Sequence, residues 1–329
     1  NLPVLTKRQI SIVEADYSCP SRKTKLMSMS YRQGWLKFLY SYFIWPLEAI
    51  LLGLLIGLLT ISPLRVASFV MGRLFAGLGP ITPWHKRAED QMKLALPEYS
   101  KGERQIWLRE MWDNLGRTSA EFIKTRQMLN KGYIQFEGLH HLTDHDGGFV
   151  IGAHLGNWEA LSMLGPCTNV KTGLIYRPLN NPYVSRLMKR RTYSADADIY
   201  EKGRQAAIGM VSTLRKGGFM LLLVDQQLRE GETVPFFGYP AKTAVAHIKL
   251  AAKTGKPIFM AQTVRGPGCN IKVSLSAPIY MQQTADDKDC REVAKQINQQ
   301  IETWIRQHPG QWLWPHRRWG KIPPAQLSK

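Results

Sequence analysis

Gly147 to Leu164 reads GGFVIGAHLGNWEALSML, a short apolar run that delivers His154 to a turn, then a helix-like segment carrying Glu159. Phe149–Ala153 is apolar and unbroken, the pattern of a strand buried on both faces, and Gly156 with Asn157 fits a strand-to-helix turn. On one continuous helix, residues five apart would point about 140° away from each other. His154 and Glu159 therefore converge only if the imidazole precedes the helix and the carboxylate lies in its first turns. The glycine turn allows that, and the pair reads as a general base with its orienting acid. A neutral imidazole takes a proton from a hydroxyl near neutral pH, while a carboxylate on its other nitrogen fixes the tautomer and stabilises the imidazolium. This is acyl-transfer or hydrolytic chemistry without a metal. The alternative is a buried histidine that caps the helix.

Outward from this stretch, strand-like and helix-like segments alternate. Trp84–Leu96 and Lys101–Leu129 carry apolar residues at helical spacing, as in Ile106, Met111, Leu115 and Phe122. Short aliphatic or β-branched runs follow at Ile134–Phe136, Phe149–Ala153, Thr172–Tyr176, Phe219–Val224, Pro257–Thr263 and Ile271–Leu275. Such alternation predicts an α/β fold with a mainly parallel central sheet flanked by helices, its active edge at the strand C-termini. His154, Arg177 and Asp225 each directly follow such a strand.

Two further segments bear on chemistry. In Ile175–Thr192, IYRPLNNPYVSRLMKRRT, a strand ends at Tyr176 and the Asn180, Asn181, Pro182 turn starts a new helix. Arg186, Lys189 and Arg190 then share one face of that helix. Guanidinium forks and an ammonium together suit a ligand with several anionic groups, so Arg177, Asn181, Arg186, Lys189 and Arg190 are the expected substrate-binding set. A solvated basic helix face is the plainer reading. Leu221–Thr243, LLLVDQQLREGETVPFFGYPAKT, places Asp225 at a strand end and then runs into a loop with Phe236 and Phe237, expected as a lid or acyl-chain wall or else as a hairpin packed on the sheet.

Composition points to a surface. Of 329 residues, 44 are Lys or Arg and 25 Asp or Glu, a formal net charge of +19, and ten are tryptophan. Such an excess suits a polyanion or an anionic lipid surface, and the interleaved aromatics favour the membrane over nucleic acid. Phe43–Leu64, FIWPLEAILLGLLIGLLTISPL, is the strongly apolar run; its uncharged part is about 24 Å long as a helix against an apolar bilayer thickness of about 30 Å. Trp35, Tyr40, Tyr42 and Trp45 on one side of that uncharged part and Arg65 and Arg73 on the other mark an interface. The expected organisation is a basic N-terminal arm at 1–42 without a secretory signal, a membrane anchor at 43–64 and a catalytic domain at 65–329. Cys19, Cys167, Cys269 and Cys290 show no metal or disulfide spacing and read as reduced thiols facing a cytoplasm.

Other chemistries find little support. HHLTDHD at His140–Asp146 gathers metal-capable side chains, but it lacks cysteine and the helical H-E-x-x-H spacing, so neither a metal nor a cofactor is expected. Phosphate-loop, dinucleotide and nucleophile-elbow motifs are missing from the sequence.

Five motifs together resemble one family. AHLGNWE at Ala153–Glu159, YRPLNNP at Tyr176–Pro182, VDQ at Val224–Gln226, VPFFG at Val234–Gly238 and QWLWPHRRW at Gln311–Trp319 are similar to those of the bacterial lipid A late acyltransferases, of lauroyl and myristoyl type, within the lysophospholipid acyltransferase superfamily. The likeness runs from about Phe43 to Lys321, and WDNLGRT at Trp112–Thr118 adds to it. It implies an inner-membrane enzyme at the cytoplasmic face that moves a fatty acyl group, lauroyl by preference, from acyl carrier protein to a hydroxyl of an acylated, phosphorylated glucosamine disaccharide. His154 would be the base and Glu159 its partner. The VDQ aspartate, Asp225, and an arginine near the end of the YRPLNNP helix would also be needed; that arginine is Arg190 or Arg191, with Arg191 taken as the catalytic one. Arg177 or backbone N–H groups near Gly156 are candidate donors to the oxyanion. Partners are then acyl carrier protein, a phosphorylated lipid acceptor and an anionic membrane, with no nucleic acid. The helix around Arg87–Met92 departs from the family's pattern. Acyl transfer to a glycerophospholipid or aminolipid, or non-enzymatic binding to anionic membrane, are the alternative readings.

Overall fold

The computed structural model describes residues 38–192 and 196–322, without the side chains of 188–192. The basic arm expected at 1–42 therefore lies outside the described residues up to 37. The strands are β1 Ile134–Glu137, β2 Gly148–Gly152, β3 Thr172–Tyr176, β4 Asp198–Glu201, β5 Phe219–Leu223, β6 Glu232–Phe236, β7 Tyr239–Thr243, β8 Ile258–Arg265 and β9 Ile271–Leu275. The longer helices are α1 Trp45–Ile61, α2 Leu64–Leu78, α3 Pro83–Ala95, α4 Lys101–Phe122, α5 Pro182–Thr192, α6 Arg204–Arg215, α7 Ala246–Thr254 and α8 Asp287–Gln307.

A seven-stranded sheet in the order β1-β9-β8-β2-β5-β3-β4 organises the molecule, parallel throughout except where β8 meets β9. The expected class is the observed one. All five residues of β2 are buried, as a central parallel strand covered on both faces requires. Its alternate side chains divide between two cores. Phe149 and Ile151 join Met220, Leu222 and Met260 under α3, α4, α7 and α8, while Val150 joins Phe219, Leu221, Phe259 and Ala261 beneath the opposite face. The sequence pattern did not mark β4, a short strand with exposed polar ends. VPFFG forms an antiparallel hairpin, β6 with β7, whose Phe236 and Phe237 are buried against Trp319 and Trp312. It is a packed hairpin, not a lid.

The apolar run near the N-terminus is not one element. Ser62 is extended ahead of Pro63, which ends α1 and starts α2, because a residue before proline is driven out of the helical region. Continuous helix nevertheless extends back through a π-helical turn to give 22 residues from Tyr40 to Ile61, about 33 Å long. Leu64–Ile81 is a second helix long and apolar enough to cross a membrane by length and composition. Most of α1 is exposed, including Leu54, Leu58 and Ile61, and so is one face of α2, with Val66, Phe69 and Val70. The other face of α2 packs closely on α4, where a Cβ on Gly116 would collide with the Met71 carbonyl.

Candidate active site

Strand register assembles the site. Gly152 pairs with Leu223 in the parallel ladder of β2 and β5, so two residues further on His154 and Asp225 emerge side by side. On the neighbouring pair, Tyr176 of β3 sits opposite Glu201 of β4, which sets Arg177 beside Lys202 at the same C-terminal edge. The four adjacent parallel strands β2, β5, β3 and β4 thus each deliver one charged or titratable side chain to one rim.

The orienting carboxylate on His154 is Asp225. Its Oδ1 lies 2.7 Å from Nδ1 of the imidazole and its Oδ2 accepts the His154 backbone N–H at 2.8 Å. Trp312 Nε1 donates to the same Oδ2 at 2.7 Å. Burial alone would raise this carboxyl, but the charge of His154 and the hydrogen bonds from its ring and backbone outweigh that, holding Asp225 well below the usual carboxylate range. An ionised carboxylate only accepts, so Nδ1 carries the proton, and in the neutral form of the ring Nε2 presents its lone pair. Asp225 was expected at the edge, but its contact with the imidazole was not.

Glu159, expected on the second imidazole nitrogen, is placed differently. Trp158–Met163 forms a 3₁₀ turn, and within it Glu159 accepts from Trp158 Nε1 at 3.0 Å. The physical reason is the register of β2 with β5: the nitrogen that a carboxylate would hold is already taken by Asp225. Burial pushes the Glu159 carboxyl up, opposed by the Trp158 bond and by the charge of nearby His154. It lines the same cavity as the imidazole without being its tether.

The C-terminal segment completes the site. Leu155 forms an antiparallel bridge with Trp312, Leu313 N–H donates to the His154 carbonyl at 3.0 Å, and Gly156 N–H donates to the Gln311 carbonyl at 3.1 Å. This seam brings His316 to the imidazole, ring centroids 4.9 Å apart. Between them lies Gln226, its amide nitrogen 2.9 Å from Nε2 of each histidine. Burial and the charge of His154 push His316 down to about 4, so its ring is neutral near pH 7. Gln226, His316 and Trp312 had no assigned role in the sequence reading, although VDQ and QWLWPHRRW contain them.

The glycine turn is held from behind. Gly156 has φ +58°, and a Cβ there would strike the Thr263 carbonyl, so the position needs glycine. Asn114 on α4 donates to the Gly156 carbonyl at 2.9 Å, which gives WDNLGRT a structural role. Asn157 accepts from the Glu159 N–H at 3.2 Å and donates to Glu121 at 2.8 Å. Glu121 is fully buried and takes both ends of the Arg265 guanidinium, at 2.7 and 2.8 Å. Arg265 also donates to Asn114 at 2.6 Å, closing the support.

His154, Glu159 and Gln226 open on a cavity of about 570 Å³. Its wall includes the buried Leu161, Leu221, Leu222 and Val224, and the exposed Arg177 and Lys202 stand on it as well. Of the expected binding residues, Arg177 is there. Asn181 is buried in a joint: its side-chain Oδ1 caps α5 by accepting from Tyr183 and Val184 N–H, and its side-chain Nδ2 donates to the Trp45 carbonyl and to Glu48 at 2.8 and 2.9 Å. Its polar atoms are used in tying α5 to α1, because the turn that starts α5 folds against that helix. Arg186 is exposed on α5; Lys189, Arg190 and Arg191 lie on the same helix with side chains outside the described residues.

Over residues 30–321 the chain matches the family model of bacterial lipid A biosynthesis acyltransferases. It is 25% identical over 247 residues to a lipid A biosynthesis acyltransferase of Haemophilus influenzae, covering 72% of this chain and 77% of that protein. It is 27% identical over 263 residues to a lipid A biosynthesis palmitoleoyltransferase of Escherichia coli, covering 75% and 83%. Among solved structures, the 1-acyl-sn-glycerophosphate acyltransferase PlsC of Thermotoga maritima aligns with 74% of this chain and 95% of its own length, at a TM-score of 0.36 and 9% identity. The family match takes in every strand of the sheet and the C-terminal segment that reaches His154, and on that ground the chain belongs to the bacterial lipid A biosynthesis acyltransferase family.

Proposed function

We propose that this acyltransferase moves a fatty acyl group, of lauroyl class, from acyl carrier protein to a hydroxyl of an acylated, phosphorylated glucosamine disaccharide. The reaction would run where the cytoplasmic side of the inner membrane meets water. One observation carries the reading: His154, its Nδ1 held by an ionised Asp225, turns Nε2 toward a largely apolar cavity. An acyl chain fits such walls, and a hydroxyl brought to Nε2 loses its proton to the imidazole as it attacks a thioester. The imidazolium so formed is stabilised by Asp225 at hydrogen-bond distance and by Glu159 through the field across the cavity.

Arg177 and Lys202 support an anionic acceptor. Strand pairing sets them side by side, and a fork next to a point charge suits a phosphate. The arginine near the end of α5, Arg190 or Arg191, extends that basic ground. The exposed apolar sides of α1 and α2 support a membrane-bound enzyme, with the 1–42 arm and the 43–64 segment as its lipid-facing part and 65–329 as the catalytic domain.

The test is turnover of wild type and His154→Ala with lauroyl-loaded acyl carrier protein and the phosphorylated disaccharide lipid, read by mass spectrometry of the product. Wild type should form the ester and the variant should not. Equal product from both would remove the catalytic role, and turnover only with a lysophospholipid would transfer the reading to a glycerophospholipid acceptor.

A further inference from the structure

We propose that Gln226, fixed in place by His316, is the side chain that donates a hydrogen bond to the oxyanion formed at the reacting thioester carbonyl; this rests on the acyl-transfer reading above. The amide nitrogen lies within 2.9 Å of two imidazole Nε2 atoms at once. Because Asp225 holds the proton on Nδ1 of His154, Nε2 of the neutral ring is an acceptor, so the Gln226 atom facing it is a donor. The same nitrogen, which can only donate, reaches Nε2 of His316, so that atom accepts as well, as a ring without charge near pH 7 allows. Both N–H groups of one exposed glutamine are thereby aimed and held.

Several neighbouring donors are committed elsewhere. Of the backbone N–H groups near Gly156, that of Gly156 itself donates to the Gln311 carbonyl at 3.1 Å. Trp312 Nε1 and the His154 N–H are taken by Asp225, and Trp158 Nε1 by Glu159. Arg177 leaves from β3, which β5 separates from β2. Gln226 differs from all of these in that one of its bonds ends on the lone pair the acceptor hydroxyl must occupy.

The sequence of events balances. The hydroxyl oxygen forms a bond to the thioester carbon while its proton passes to His154 Nε2, breaking the Gln226 to His154 bond. The carbonyl π pair moves onto oxygen, and the freed Gln226 N–H meets that charge while its other N–H stays on His316. The electron pair then returns, the carbon–sulfur bond breaks, and the thiolate leaves with the proton from His154 Nε2. Gln226 thus touches reacting atoms, whereas His316 is a positioning residue acting through it.

Full-length enzyme in membranes tests this with Gln226→Ala, Gln226→Glu, His316→Phe and His316→Gln. Loss of one oxyanion donor should lower kcat by about 10²–10³-fold in both Gln226 variants. KM and Tm should stay near wild type. His316→Phe should lose part of that factor, and His316→Gln, which restores an acceptor, should recover it. A phosphonate mimic of the tetrahedral intermediate should bind Gln226→Ala more weakly than wild type, while a non-reactive thioether analogue of the donor binds both alike. Unchanged kcat and phosphonate affinity in Gln226→Ala would overturn the proposal alone. A wild type inert toward the thioester would overturn the acyl-transfer reading and this inference with it.

Discussion

His154 and Asp225 stand on adjacent parallel strands, two residues past the paired Gly152 and Leu223, and meet at 2.7 Å between Nδ1 and Oδ1. Asp225→Asn keeps the shape but turns one accepting oxygen into a donor. With Trp312 and the His154 N–H still needing an acceptor, the new amide nitrogen would face Nδ1 and drive the ring proton to Nε2, the atom proposed to receive the hydroxyl proton. A fall in kcat of about 10⁴-fold is expected, with lipid binding little changed. Steady-state kinetics on the enzyme checks it, and a loss under tenfold would show that Asp225 does not set the tautomer.

Glu159 gives the opposite pairing of effects. Its carboxyl is raised by burial, which outweighs the Trp158 hydrogen bond and the charge of His154. A group whose folded pKa lies above its unfolded value favours the folded state while protonated and costs stability as pH rises through the folded pKa. Glu159→Gln can still accept from Trp158, so the variant should have a higher Tm than wild type at pH 8 and nearly the same at pH 4. Its kcat should fall by about 10²-fold, less than for Asp225→Asn because the imidazole keeps its tether. Thermal melts at the two pH values decide the first part, and a lower Tm at pH 8 would count against it.

How far the sequence could be read follows from the same two residues. Strands rich in aliphatic residues announced themselves through composition, and β3 and β9 fall where the pattern placed them because turns bound them sharply on both sides. That His154, Arg177 and Asp225 occur at strand ends was legible, since each is the first polar group after an apolar run. Which of them touch was not, because contact depends on strand order and register, set by the packing of helices many residues away. A carboxylate five positions along was therefore favoured over one 71 positions along. The same long-range term hid His316 and Trp312, which reach the site only through the bridge between Leu155 and Trp312. Asn181 looked available for ligand because the sequence could not show α1 lying across it.

Arg265 and Glu121 form a bidentate pair in which Glu121 is fully buried and Arg265 nearly so. Removing one member strands the other in the interior, so Arg265→Met should cost about 3–5 kcal/mol of stability, seen as a lower midpoint in denaturant. Because Asn157 hangs from Glu121, the glycine turn should loosen as well. The double variant Arg265→Met with Glu121→Leu should recover much of the stability. No recovery would mean that the other partners of Glu121, Ser68 and Asn157, dominate the cost.

Arg177 and Lys202 should act on binding instead of on chemistry. Replacing both by Gln should raise KM for the phosphorylated acceptor, leave kcat near wild type, and flatten the dependence of KM on salt, since exposed charges are screened over about 8–10 Å at ordinary ionic strength. An acceptor lacking its phosphates should be handled alike by wild type and variant. If KM for the phosphorylated lipid does not move, the two cations are only a solvated edge.

The exposed apolar side chains of α1 give the last expectation. Leu51, Leu54, Leu58 and Ile61 are all more than half exposed, and water is an unfavourable neighbour for so much hydrocarbon in one place. Each such side chain gains on the order of 1.5–3 kcal/mol when fully buried in an apolar phase. Changing all four to Ser should therefore remove several kcal/mol of lipid affinity while leaving Asn181, Glu48 and the joint with α5 untouched. The variant should shift from pelleted anionic vesicles to the supernatant and keep its melting temperature in detergent. Continued pelleting at low salt that is lost at high salt would show the basic surface holding the enzyme without these four side chains. Pelleting that resists both salt and the four substitutions would mean that the remaining exposed apolar side chains, Leu47 and Ile50 on α1 with Val66, Phe69 and Val70 on α2, are sufficient.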